Sequence, residues 1–357
     1  MILKSFKYSN PNWTLDTLIL GQANLIVGKN SSGKSRALRA LNQVISLLSQ
    51  RKMEDGRLIF DSELILNDPE EGNIYIYLSI EGDNIVKEIL KVNEEIKIER
   101  DKEKAIIEGD NANPPADMLL MHVRRDVQKY NYIEKIIEWA EKTVIRSFID
   151  KTSPTHEELF EHVLKFTPEM CRHLVRLANK VGFPLKDFGT FKNVFLRPKK
   201  RSLDNGADSI KIILLKEKNV TDPLQLNNLS SGMYRTILLL ILIEQFINLD
   251  RPALLAIDDL GEGLDYSRAT DVGKLLFDIC EKNNIQLIAT SNEEFMMNIV
   301  DISKWNILVR EGQNVKSVTS ELCPDEFEDF KFTGLNNYDF FTSDFLNRIS
   351  SNLFPKK

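Results

Sequence analysis

GKNSSGKS, residues 28–35, stands between the apolar run NLIV at 24–27 and RALRALNQVISLL at 36–48. A short apolar run, a polar glycine-bearing loop, and then leucines and an isoleucine at helical spacing read as strand, loop and helix. Gly28 and Gly33 let the backbone curl so that successive N–H groups point inward, and the start of the following helix adds the positive end of its dipole. Such a loop takes phosphate oxygens. The spacing sets Lys34 to reach β and γ phosphates and Ser35 to hold a magnesium ion, with Asn30, Ser31, Ser32 and Arg36 beside them. ATP with Mg2+ is the expected ligand.

Two further stretches bear on the same chemistry. RPALLAIDDLGEGLD, residues 251–265, has five apolar residues ending in Asp258 and Asp259. It reads as a buried parallel strand that delivers carboxylates at its C-terminal edge, where ligands bind in open α/β sheets. Asp258 is placed to hold the magnesium shell. Upstream, NNLSSGMYRTILLLILIEQFI at 227–247 opens with Ser230, Ser231 and Gly232 and continues as a strongly apolar helix. Its start is either a plain N-cap or a second anion site.

Together, the three stretches resemble the Walker A, signature, and Walker B plus D-loop motifs of ABC-type P-loop ATPases, in the soluble branch of SMC, RecF and OLD proteins. The expected fold is therefore α/β, a P-loop ABC-type ATPase head carrying a β-meander lobe and a helical insertion. LSSGMYR stands where LSGGQ-type signatures stand. IDDLGEGLD aligns without gaps, putting Asp259 at the catalytic carboxylate position and Asp265 in the D-loop. The resemblance covers about the first 50 residues and 210–310. It implies a homodimer in which two heads close on ATP, Ser230 of one completing the phosphate site of the other. It also implies a separate effector, a nuclease or toxin, because OLD proteins carry a Toprim nuclease after the head and no such acidic cluster follows here. Antiphage defence or DNA repair is the expected setting.

Two departures from the pattern point to slow hydrolysis, and to an alternative reading as an ATP-holding scaffold. Asp259 is one methylene shorter than the usual glutamate, which shortens its reach to a water; Glu262 is a substitute base or a solvated loop residue. IATSNEEF, residues 288–295, has Ser291 where a switch histidine is expected, followed by Asn292. Either side chain can hydrogen-bond a γ phosphate, but neither carries a proton near neutral pH. Asn292 after a strand also resembles an AAA+ sensor. The signature helix and the lack of an arginine-finger segment argue against that branch, as the inserted region argues against a transporter subunit.

The 357 residues suffice for one large domain with an insertion or two modest ones, and a net charge of −6 gives no global basic field for nucleic acid. Three separated cysteines form neither a zinc pair nor a disulfide framework. A cytoplasmic protein without membrane segments is expected, the longest apolar run being far shorter than the roughly 20 residues of a membrane helix.

Segments 1–112, 113–208, 209–320 and 321–357 are read as an N-terminal ATPase lobe, a mostly helical insertion, a C-terminal ATPase lobe and an aromatic, acidic end. Residues 57–66, 73–80 and 85–98 suggest a strand meander, with 94–104 as an exposed hairpin. MLLMHVRRDVQ at 118–128 reads as a strand leaving the core, with Gln128 either a Q-loop residue or an exposed polar one. Arg124 and Arg125 are candidate nucleotide or nucleic-acid contacts, or ordinary surface.

Residues 130–148 and 157–181 carry helical periodicity. His156, His162 and His173 in this region lack zinc-ligand spacing. From Lys186 to Arg201, basic residues alternate with Phe188, Phe191 and Phe195, either a nucleic-acid contact or a basic loop beside core phenylalanines. The end is crowded with Phe327, Phe330, Phe332, Tyr338, Phe340, Phe341 and Phe345, and either packs back on the head or docks another protein.

Overall fold

Why an apolar run ending in a glycine loop becomes a central strand is visible in its neighbours. In the computed structural model, which describes residues 1–49, 58–123, 128–147, 156–190, 212–248, 252–343 and 349, Ala23–Val27 pairs in parallel with Gln286–Thr290 and with Trp305–Glu311. Gln286–Thr290 pairs in parallel with Leu254–Asp258. Both the Leu254–Asp258 and the Gln286–Thr290 strands are buried along their whole length, which explains their unbroken apolar sequences.

The chain divides into two compact units. The first holds residues 1–145, 252–259 and 280–357. Its sheet continues outward through Asn314–Val318, Trp13–Ile19 and Ile2–Asn10 to a meander of Leu58–Asp68, Gly72–Gly82, Asn84–Val92 and Glu95–Arg100. The helix after the loop, Lys34–Ser49, buries Ala37, Leu38, Leu41, Val44, Ile45 and Leu48, an i, i+3, i+4 stripe that packs on the helix Asn131–Glu141. The second unit holds residues 146–251 and 260–279. It contains helices His156–Leu164, Pro168–Lys180 and Ser231–Asn248, and a three-stranded sheet of Leu185–Thr190, Ile213–Glu217 and Leu224–Gln225. These units cut across the segment boundaries read from sequence: Asn131–Glu141 falls in the first and residues 260–279 in the second.

Four local readings are corrected. The third meander run is two strands, because Asn93 and Glu94 both take left-handed φ, 49° and 68°, and reverse the chain. Within 118–128, Leu120–Val123 is a helical turn where a strand is expected, and 124–127 lie outside the described residues. Its first amides are taken by the buried carboxylate of Glu88, at 2.7 Å from Leu120 N and 3.3 Å from Met121 N. Helical periodicity at 130–148 ends at Glu141, and Thr143–Ser147 is a strand at the sheet edge beside Leu254–Asp258. The third is a β-branched stretch that gains sheet pairing. Residues 157–181 are two helices, broken where Thr167 caps Pro168–Lys180 by accepting from Met170 N at 3.3 Å.

The expected hairpin is present, Glu95–Arg100 pairing with Ala105–Ile107 around an exposed turn at 101–104, but Arg100 within it is buried. It lies opposite Glu88 in register and donates to the carbonyls of Met118 at 2.7 Å and Pro115 at 3.1 Å. Burial pushes the Glu88 carboxyl up to about 7, opposed by the two amides and by Arg100. At the aromatic end Phe327, Phe330 and Phe340 are buried, the Phe340 ring centroid 4.7 Å from that of Phe327 and 4.8 Å from that of Phe330, and Asn337 Nδ2 donates to Val300 O at 3.0 Å. That part packs back. Phe332 stays 84 % exposed, and Phe345 lies outside the described residues.

Candidate functional site

The loop at 28–35 is bent as its glycines require. Gly33 has φ +109° and Ser31 φ 66°. A Cβ at Gly28 would lie 2.4 Å from Ser32 Oγ and 2.9 Å from Leu308 O, so only glycine fits there. Lys34 is buried and its ammonium donates across the loop to Gly28 O at 2.9 Å. Burial lowers the Lys34 pKa, while Asp259 and then Asp258 pull it back up. Arg310 Nη1 donates to Ser31 O at 3.0 Å and braces the loop from the Trp305–Glu311 strand. Arg36 lies over the Trp13 ring, 4.9 Å from its centroid.

The carboxylates arrive at the end of Leu254–Asp258, with Gln286–Thr290 lying between it and the loop's strand. Asp258 ends Leu254–Asp258 and is buried. Thr290, one rung beyond the Ile257–Ala289 pair, donates its hydroxyl to Asp258 Oδ1 at 2.7 Å and accepts from Asp259 N at 2.8 Å. One threonine thus fixes both aspartates. Asp259 sits at φ 52°, a left-handed conformation that aspartate tolerates better than most residues and that turns the chain out of the sheet. Ser291 is buried, and its hydroxyl accepts from Glu293 N at 3.1 Å. Asn292 reaches the loop itself: its Nδ2 donates to Asn30 Oδ1 at 2.9 Å.

These residues fit a nucleotide. Ser32 Oγ is buried with no hydrogen-bond partner in the curled loop, as expected of a group meant for phosphate oxygens. The donor set around Lys34 is cationic and amide-rich, and Ser35 with Asp258 could supply the few oxygen ligands that magnesium takes beside phosphates and water. Among the described residues no cluster of three or more His, Cys, Asp or Glu is placed to hold a metal by itself. His173 pairs with Glu244 of the signature helix instead.

In the second unit the signature turn and the D-loop meet. Ser231 begins the helix Ser231–Asn248, and Ser230 and Ser231 are exposed. Asp265 accepts from Arg268 N at 3.1 Å. Glu262 pairs with Arg235 at 3.3 Å. Phe188 is fully buried, while residues 191–211, including most of the basic stretch ending at Arg201, and Arg124 and Arg125 lie outside the described residues. No described helix is long and apolar enough to cross a membrane.

Thr290, Asn292 with Asn30, and Arg310 are the contacts that sequence reading underweighted. Thr290 had a usable signal, because it ends the neighbouring apolar strand at the same level as Asp258.

In fold the chain is similar to the ATPase head domains of SMC proteins. A family profile described as "AAA domain, putative AbiEii toxin, Type IV TA system" matches residues 122–291. The chain is similar to an SMC head domain from Thermotoga maritima, with 12 % identity, TM-score 0.50, and 89 % and 99 % of the two chains covered. It is similar to an SMC head bound to the C-terminal winged-helix domain of ScpA, with 12 % identity, TM-score 0.55, and 91 % and 99 % covered. It is also similar to a Pyrococcus furiosus SMC head with an extended coiled coil, bound to the C-terminal domain of ScpA, with 13 % identity, TM-score 0.51, and 92 % and 99 % covered. A comparison with curated proteins finds no match.

Proposed function

We propose that the chain is an ATP-driven switch: two copies bind ATP, close face to face, and reset on slow hydrolysis. The observation that carries this reading is the bridged pair Asp258 and Asp259 beside the buried Lys34, within a loop whose Ser32 hydroxyl has no partner.

Lys34 leaves the Gly28 carbonyl to meet β and γ phosphate oxygens, and the amides of 30–35 with the hydroxyls of Ser31 and Ser32 surround them. Magnesium, when bound by Ser35 and Asp258, supplies neutralisation of phosphate charge. Asp259 orients water and accepts its proton, and its short side chain with a backbone pinned to Thr290 limits its reach, which makes turnover slow. Asn292, tethered to Asn30, is placed to sense the γ phosphate. Ser230, Ser231 and Gly232 of the second copy complete the site, with Asp265 at the closed interface. ATP favours the closed dimer because only there are its phosphates contacted from both sides.

The family profile's toxin–antitoxin description and the ScpA-bound heads favour a separate protein partner. The corresponding reading here is control of a nuclease or toxin effector, in a defence or DNA-repair setting. The short Asp259 also supports a second reading, an ATP-holding scaffold that recruits such an effector with little catalysis. Sedimentation with ATP tests the switch. Wild type should shift from monomer to dimer and Lys34→Ala should stay monomeric, while equal dimerisation of both rules the switch out.

A further inference from the structure

The signature turn and the D-loop are joined by one side chain. Arg235, one turn into Ser231–Asn248, donates from Nη1 to the Glu262 carbonyl at 2.9 Å and to Glu262 Oε2 at 3.3 Å. The two backbones also touch. A Cβ at Gly232 would lie 2.5 Å from Gly263 O and 3.0 Å from Leu264 Cδ2, and one at Gly263 would lie 3.3 Å from Arg235 Nη1. Gly261 and Gly263 have φ +94° and +79°. Gly232 and Gly263 thus allow a close approach that Arg235 bolts in place.

We propose that Arg235 is a positioning residue that makes the signature turn and residues 261–265 move as one piece. Phosphate contact at Ser230 and Ser231 then sets the position of Asp265. The functional half of this inference rests on the ATP-closed dimer proposed above; the mechanical half does not. It also gives Glu262 a role other than water activation: its carboxylate takes the second, longer bond of the bolt.

The shorter bond goes to a backbone oxygen that no substitution at 262 removes, so the two partners differ in effect. Arg235→Ala should raise amide exchange at 261–265 by about tenfold and Glu262→Ala by less than about threefold. ATP affinity should stay within about twofold in Arg235→Ala while ATP-dependent dimerisation and hydrolysis fall about tenfold together. Arg235→Lys keeps one donor to the carbonyl, should restore about half of the loss, and carries the test if the alanine variant does not fold. Unchanged exchange at 261–265 in both Arg235 variants overturns the inference, as does full dimerisation with raised exchange. If the wild type does not dimerise with ATP, the proposed switch fails, and the exchange measurement still decides the bolt.

Discussion

The loop at 28–35 and the turn at 229–235 are both polar, glycine-bearing helix starts, yet one is buried and the other is open. Around the first, Ser32, Lys34 and Asp258 are buried, and strands on both sides supply braces from Arg310 and Thr290. Around the second, Ser230 and Ser231 face solvent, and Gly232 packs closely against the D-loop at Gly263 and Leu264. A site that works alone must carry its own walls, because charge-assisted contacts gain strength where water is excluded. The open turn lacks such walls, and this favours its completing a site on a second copy.

The largest effect that can sharpen this contrast concerns the scaffold of the first region. Glu88 has its folded-state pKa raised from 4.5 to about 7 by burial, so its contribution to stability is fully present below pH 4.5 and is lost as pH rises through 7. The loss amounts to roughly 3 kcal/mol by pH 8. Glu88→Gln should flatten the melting temperature across that window, since a neutral amide does not titrate and its oxygen still accepts the shorter bond, from Leu120 N. Exchange at pH 8 should rise first in the meander and at 115–123. A rise first at 229–265 breaks the contrast.

A smaller effect separates the bridge from the cradle. Thr290→Val deletes the hydroxyl that holds Asp258 and Asp259, at a cost of about 2 kcal/mol, and should lower hydrolysis roughly thirtyfold. ATP affinity without magnesium should change less than about twofold, because Lys34 and the loop amides remain. Equal losses in both measurements mean that Thr290 supports the fold and not the carboxylates.

The two regions also differ in how far they could be read in advance. GKNSSGKS and LLAIDD were legible because an apolar run that ends abruptly in glycine or carboxylate marks a buried strand and its functional edge in one line of sequence. The braces were not legible. Arg310 reaches Ser31 across 279 positions, and Glu88 turns 120–123 into a helix from 32 positions away; periodicity carries no record of such partners. At 143–147 a β-branched run extended a helical pattern by chance, and pairing beside Leu254–Asp258 decided it. Glu262 illustrates the same limit at the site, since only the folded chain shows that Arg235 occupies it.

The central claim, that the open turn of one copy completes the buried loop of another, is tested most directly by mixing two inactive variants. Lys34→Ala keeps an intact signature turn, and Ser230→Arg keeps an intact phosphate loop. Only the mixed pair holds an intact composite site, one of its two, so hydrolysis should rise clearly above either variant alone, to at most about half of wild type. A mixture no more active than its two components measured apart contradicts completion in trans.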